Sequence, residues 1–341
     1  MLRHFSKRNV LVFIMLAAFL QVGASPLQQP QVPPIKLKVL AVPYLTFAPL
    51  FIAQDEGYFA EQGLQVEFPQ FTGSVQALPA LAQGDLDISA GEVAVNALNA
   101  ISKGINIKYV ADKGFYDPDA CSFSGFVARV PLIKAGELDR LEQWKGKRVS
   151  LTPNAHSEYM MDVAFKQAGL TVDGIEPLEL PPAARFAGLA NGTLDVANLS
   201  EPWLTRSLET GGTDLILKVA QVIPNEQLGY IIYGPNILNK NPEAGKRFMV
   251  AYLKAVRQYK LGKTDRNLEI LAKYTELDRK TLEKACWPPF REDGQFKVDS
   301  LLSFQDWAVK KQLLNQTLTE TQLSDLSFVQ YANQVLNTPK P

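Results

Sequence analysis

Two glutamates, Glu92 and Glu201, are placed to select a ligand by its charge, because each follows shortly after a segment that the chain writes twice. Residues 81–88 read Leu-Ala-Gln-Gly-Asp-Leu-Asp-Ile, and residues 189–196 read Leu-Ala-Asn-Gly-Thr-Leu-Asp-Val. A helix end, a glycine stop and a strand thus recur after 108 positions, which is simplest to explain by two equivalent α/β lobes. A carboxylate shut into a closed cleft without a partner is costly. If both glutamates face one cleft, the ligand carries donor groups or positive charge, as an amine or an aminopyrimidine does. If Arg185 or a lysine neutralises them, a sulfonate or carboxylate is admitted again, and helix amino termini would favour such an anion. Asp87 and Asp195, matched in the repeat, are assigned to hydrogen bonding at strand ends.

The chemistry the chain lacks narrows the field. It has 2 histidines, His4 and His156, and 2 cysteines, Cys121 and Cys286. That supply makes no His/Cys cluster for a metal and no Cys/His pair evident from the sequence. There is no Gly-x-Ser-x-Gly elbow, no phosphate-binding loop and no dinucleotide fingerprint. No catalytic residue, cofactor or metal is therefore expected. Lys plus Arg and Asp plus Glu both number 35, so no electrostatic footprint points to nucleic acid or to a membrane surface.

The amino terminus reads as a secretory signal. Arg3, Lys7 and Arg8 precede an apolar run from Val10 to Leu20, too short to cross a bilayer as a helix, and small residues suit cleavage between Ala24 and Ser25. A mature chain of 341 less 24 residues, or 317, is expected to be periplasmic and monomeric, without a lipid anchor because no cysteine lies near the cleavage site. That length exceeds one hydrophobic core and suits two lobes. In an oxidising compartment Cys121 and Cys286 can form a disulfide if the fold brings them together; two buried free thiols are the alternative.

Residues 25–34 are proline-rich and read as an extended lead-in. From Ile35 onward, alternating apolar runs (Ile35, Leu37, Val39; Leu64, Val66, Phe68; Ile105, Ile107, Tyr109) are separated by helical stretches, which predicts parallel sheets covered on both faces. Pro79 predicts a kink or a later start in the helix that Ser74 opens. A second series begins with the strand at Val149, and the carboxyl-terminal part is mostly helical, with Asn241 and Pro242 opening a long helix. Ligands of open α/β sheets sit beyond the carboxyl ends of the strands. That rule selects Tyr44, Thr46 and Phe47 after the first strand, and Gly91 and Glu92 after the third. In the second series it selects Asn154, His156 and Ser157, then Ser200, Glu201 and Trp203. Tyr44 and Phe47 also suit a core, and Asn154 or Ser157 also suits a helix cap.

Four segments resemble a known family. They are Ala48-Pro-Leu-Phe-Ile-Ala-Gln-Asp-Glu-Gly-Tyr-Phe-Ala-Glu-Gln-Gly-Leu-Gln-Val-Glu67, Ala80-Leu-Ala-Gln-Gly-Asp-Leu-Asp-Ile-Ser-Ala-Gly-Glu92, Trp144-Lys-Gly-Lys-Arg-Val149 and Glu201-Pro-Trp203. They are similar to the solute-binding proteins of nitrate, sulfonate and bicarbonate ABC importers, a family that includes receptors for the pyrimidine precursor of thiamine. The resemblance implies a two-lobed α/β fold of the periplasmic binding protein type (type II-like), with a ligand cleft between the lobes. It implies crossing segments near 123–129 and 230–235, which gives lobe 1 as 35–124 with 232–341 and lobe 2 as 125–231. Ser122 and Ser124 flank the first crossing and are added to the candidates. The implied partners are a small polar or nitrogen-containing organic ligand and the membrane subunits of the importer. The alternative is an enzyme on this fold acting on a pyrimidine or chorismate-type substrate, with Glu92 and His156 as its acid and base; the cysteine-rich motif of the pyrimidine synthases is absent.

Overall fold

The computed structural model describes residues 33–338 apart from residue 276. The expected signal peptide and most of the proline-rich lead-in lie outside the described residues. Among the described residues no helix is long and apolar enough to cross a membrane.

Two mixed sheets organise the chain. In the first, β1 (Ile35–Lys38) pairs in parallel with β2 (Leu64–Glu67), and the bridge Val39↔Ile88 carries β1 onto β3 (Ile88–Gly91). β4 (Lys108–Asp112) and β3 then flank β10 (Tyr230–Tyr233), so the strands run β2-β1-β3-β10-β4. The second sheet contains β5 (Ser124–Arg129), β6 (Arg148–Ser150), β7 (Glu176–Leu178), β8 (Val196–Ser200) and β9 (Thr213–Lys218), in the order β7-β6-β8-β5-β9. The two orders are the same. The alternation of strands and helices predicts parallel sheets, but β10 and β5 each run antiparallel to both neighbours. These are the strands by which the chain enters from the other sheet, so no helical crossover sets their direction.

The repeat marks equivalent places in the two sheets. Helix α3 (Ser74–Gln83) ends on Gly84 at φ 85°, and a later helix, Pro182–Asn191, ends on Gly192 at φ 82°, both in the left-handed region where glycine carries no steric cost. In both copies the aspartate then ties the third strand to the first. Asp87 accepts from the Lys38 amide at 2.7 Å, and Asp195 accepts from the Arg148 amide at 3.0 Å. Pro79 lies inside α3, which runs unbroken from Ser74 rather than starting later. Proline cannot donate to the carbonyl of Val75, and the Asn96 side chain donates to it instead at 3.2 Å.

The carboxyl-terminal helices complete the first lobe. In the long helix Pro242–Tyr259, Asn241 Oδ1 accepts from the Ala244 amide at 3.1 Å, as its cap position predicts. Phe248, Met249 and Tyr252 of that helix join Phe304 and Val329 in the core beside β1, β3 and β10. The second sheet is covered on both faces: Phe126, Val149 and Val196 face one apolar cluster with Trp144 and Phe165, while Val127, Ala197 and Leu199 face another with Leu189 and Leu204.

The chain passes between sheets in residues 113–123 and 223–229, just ahead of β5 and β10 rather than in those strands as the resemblance implied. Both strands are fully engaged in ladders, which leaves the preceding coil to make the passage. The two passages lie side by side: Phe115 bridges Gln227, Tyr116 N donates to Glu226 O at 2.8 Å, and Asn225 N donates to Tyr116 O at 2.7 Å.

Cys121, in the first passage, is joined to Cys286 as a disulfide across 165 positions. Closing a loop that long restricts the unfolded chain and contributes about 2–5 kcal/mol. The double substitution Cys121→Ser, Cys286→Ser should therefore lower the unfolding free energy in urea by that amount while leaving the far-ultraviolet circular dichroism unchanged. An equal midpoint for the variant and the disulfide-bonded chain would contradict it.

Candidate functional site

The carboxyl ends of both sheets face one cavity of about 460 Å³. From the first lobe come the turn after β1 (Val42, Tyr44, Thr46, Phe47), the start of α3 (Gly73, Ser74, Gln76) and the end of β3 (Ala90, Gly91, Glu92). The passages add Lys113, Tyr116, Leu228 and Gly229. The second lobe supplies Ser124, Thr152, His156, Ser157, Met160, Glu179, Arg185, Asn198 and Ser200. His156 and Ser157 open the 12-residue helix α4 (His156–Gln167), so two helix amino termini, those of α3 and α4, lie at the cavity with their positive ends.

Of the candidates chosen from sequence, Tyr44, Thr46, Phe47, Gly91, Glu92, Ser124, His156 and Ser157 line this cavity, as does Ser200. Ser122, Asn154, Glu201 and Trp203 do not. Asn154 is exposed at φ 55°, and its backbone joins the lobes instead: Val95 N donates to Asn154 O at 2.9 Å, next to His156 N donating to Val93 O at 3.1 Å. Trp203 faces a separate aromatic cavity of about 390 Å³ with Phe51, Phe68, Phe71 and Tyr274.

The displacement of Glu201 has a simple cause. Adding the repeat's 108 positions to Glu92 gives Ser200, not Glu201, and neighbouring residues of a strand point to opposite sides. Ser200 takes the cleft position while Glu201 turns inward. There its carboxylate accepts from Thr205 N at 3.1 Å, Thr205 Oγ1 at 2.8 Å and Cys286 N at 3.0 Å. Burial raises that carboxyl above its usual range, against the pull of these donors. Of the two cleft glutamates expected from sequence, Glu92 lines the cavity and Glu201 does not; Glu179, whose Oε1 accepts from Gln76 Nε2 at 2.6 Å, lines it as well.

Glu92 is not alone in the cavity. Burial raises its carboxyl above the usual range, opposed by His156, Arg185, the Ser157 amide and Lys113. Lys113 is 3% exposed; its ammonium donates to Thr46 Oγ1 at 2.9 Å and lies 3.7 Å from the centre of the Phe47 ring. Burial pushes it down to about 7, with Glu92 and Asp112 opposing. Arg185 is held by the Leu180 carbonyl at 2.7 Å, the Asn198 carbonyl at 3.0 Å and Thr152 Oγ1 at 3.1 Å, and burial lowers it below its usual value. Three of its five N–H groups are thereby used, which leaves donors for a ligand. Tyr44 is pushed up to about 12 by burial, with Arg185 opposing.

Lys113 and Tyr116 escaped the search by strand ends because they belong to a passage that is coil. The signal that could have found Lys113 is a charged residue directly after an apolar strand that ends in Asp112. Among the described residues no group of three or more His, Cys, Asp or Glu side chains converges as a metal site would.

Residues 45–260, more than half of the chain, match the model of the family described as NMT1/THI5 like. A putative binding protein of Brucella abortus is 20% identical over 245 residues, covering 68% of this chain and 69% of that protein. The bicarbonate-binding protein CmpA of Synechococcus elongatus is 25% identical over 242 residues, 64% of this chain and 52% of its own. The ligand-binding component of an ABC-type import system from Staphylococcus aureus, solved with zinc bound, superposes with a TM-score of 0.72 at 16% identity, over 87% of this chain and 99% of that one. At that identity the likeness shows the fold, a periplasmic binding protein fold.

Lys113 supplies a test of the buried charge. In the folded chain it releases its proton near pH 7, whereas the unfolded chain holds it to about 10.5. The unfolded chain therefore binds more protons between those limits, and stability due to Lys113 rises with pH across that window. Lys113→Met should be the more stable protein at pH 7, and its advantage should shrink by on the order of a few kcal/mol between pH 7 and pH 10. A gap between variant and wild type that stays constant in urea melts across this range would contradict the assignment.

Proposed function

Because the chain belongs to the NMT1/THI5-like family, we propose that it is the solute-binding component of an ABC-type importer, capturing a small organic molecule between its lobes. The observation that carries the reading is the cavity lined by the carboxyl ends of both sheets and by both passages. A group bound there touches each lobe and so favours their closure, the signal such receptors give their transporters. The lobes are proposed to divide at 113–123 and 223–229. The secretory signal in the sequence and the disulfide both suit action outside the cytoplasmic membrane.

The ligand is proposed to carry two kinds of group. Arg185, Lys113 and two helix amino termini favour an anionic or acceptor head, while Glu92 favours a nitrogen or hydroxyl donor. With Glu201 turned away, the second carboxylate at the cavity is that of Glu179, which is exposed and already accepts from Gln76 Nε2 at 2.6 Å. At about 460 Å³ the cavity falls in the range of about 300–1,000 Å³ typical for drug-sized ligands, so a lone inorganic anion would leave it mostly water-filled. The relative named for bicarbonate is consistent with an anionic head.

A thermal-shift screen of the protein against sulfonates, aminosulfonates, nitrate, bicarbonate, aminopyrimidines, purines and amines tests this, since a ligand bound only by the folded chain raises its melting temperature. Compounds with both an anionic head and a donor should give the largest rise. For the best of them, Glu92→Gln should weaken binding at least about tenfold, as losing a buried charged partner costs about 2 kcal/mol or more. Glu201→Gln should leave that affinity unchanged and lower stability. Equal shifts from nitrate and the organic compounds, or an unchanged affinity in Glu92→Gln, would overturn the assignment; turnover of any compound would favour the enzyme.

A further inference from the structure

At the back of the cleft two buried polar atoms face each other without a hydrogen bond. His156 Nε2 and Glu226 Oε1 are 3.6 Å apart, with side chains 1% and 10% exposed. Neither atom has another partner among the described residues. The separation is beyond hydrogen-bond reach but leaves no room for a third group between them. A buried donor or acceptor left unpaired costs about 1–3 kcal/mol, so two such atoms in opposition are each other's natural partners.

The two residues belong to different parts of the machine. His156 opens α4 in the second lobe, and Glu226 lies on the passage returning to the first, where its carbonyl accepts from Tyr116 N. The imidazole has little freedom to turn. It stacks on Tyr116 at 6.0 Å with an interplanar angle of 17°, meets Tyr159 at 5.8 Å, and its own backbone amide is tied to Val93. With Nε2 directed at the passage, Nδ1 is the nitrogen left for the cavity that His156 lines. The titratable and charged groups around the ring are Glu226 and Tyr116 on the passages, Tyr159 on its own helix, and Glu92 at the end of β3 with Lys113 and Arg185 beyond it.

We propose that Glu226 is a positioning residue for ligand selection: by accepting from His156 Nε2–H it fixes the imidazole tautomer and presents Nδ1 to the cavity as a hydrogen-bond acceptor. In a histidine the nitrogen that donates is set by the partner of that nitrogen, and the other is then free to accept. Together with Glu92, His156 gives the cavity two acceptors beside the donors of Arg185 and Lys113. A ligand that offers N–H or O–H groups to these two acceptors is accepted, and one that offers only acceptors is refused. This selectivity rests on the binding reading of the cleft, but the tautomer is a property of the unliganded chain.

The test is nitrogen NMR of the protein labelled with 15N-histidine, without ligand, at neutral pH. The chain has only 2 histidines, so His156→Gln assigns the signal. The wild type should show His156 protonated on Nε2 and bare at Nδ1. In Glu226→Leu the ratio of the Nε2–H to the Nδ1–H form should fall about tenfold, as expected for loss of a hydrogen bond to a charged group. Glu226→Gln, which keeps an acceptor without the charge, should fall between them. Protonation at Nδ1 in the wild type, whether alone or on both nitrogens, overturns the proposal, and so does a ratio unchanged in both variants. The wild-type spectrum decides even if a variant fails to fold. A chain that binds nothing in the thermal screen would sink the transport reading and leave the tautomer result standing.

Discussion

The buried carboxylate of Asp112 holds the two passages together, and the geometry of the cleft depends on it. Gln227 donates its amide to Asp112 and also to the carbonyls of Gly114 and Gly229, both at 2.9 Å. Arg291 donates its backbone amide to Asp112 at 2.9 Å and its guanidinium to Asp112 at 3.2 Å and to Gln227 at 2.6 Å. One carboxylate thus joins the end of β4, the returning passage and the carboxyl-terminal region. Burial still pushes it up to about 6 despite these donors, the mark of a charge that is costly to enclose and is tolerated because its bonds are made. Lys113 is the next residue, and Gln227 stands between Glu226 and Leu228, so cavity residues on both passages inherit their positions from this network.

On that frame the two lobes are variations of one unit, and the cleft is asymmetric because the variation falls at its mouth. The strand order, the glycine caps and the aspartates that tie third strand to first are the same in both halves. The residue that follows is not: glutamate in the first, serine in the second. The first lobe therefore presents an acid there, and the second presents Arg185 beside His156 and Glu179. A pocket of that kind distinguishes the two ends of a molecule rather than its net charge.

Much of this was legible in the sequence, for physical reasons. Helix caps and glycine stops are local, so Asn241, Gly84 and Gly192 could be read directly, and strand-end logic found eight residues that line the cavity. Registers are not local. Whether Glu92 or Glu201 faces the cleft depends on one position in a strand, and only the offset of the repeat, taken strictly, points to Ser200. Lys113 and Tyr116 were missed because a passage between lobes has neither helical nor strand periodicity. The direction of β5 and β10 was missed because a strand entered from another lobe carries no local mark of its orientation. Pro79 predicts a kink or a later helix start from the local sequence because its compensation, Asn96, comes from a different helix.

A ligand in this cavity is proposed to draw the lobes together. This closure is tested most directly by the distance between spin labels on introduced cysteines at Lys103 in the first lobe and Lys145 in the second, both exposed. The distance would be measured by pulsed electron resonance before and after adding the compound that gives the largest thermal shift. A broader, longer distribution is expected without the compound, collapsing to a single shorter distance with it and not collapsing in Glu92→Gln at the same concentration. Identical distributions with and without a compound that demonstrably binds would contradict it.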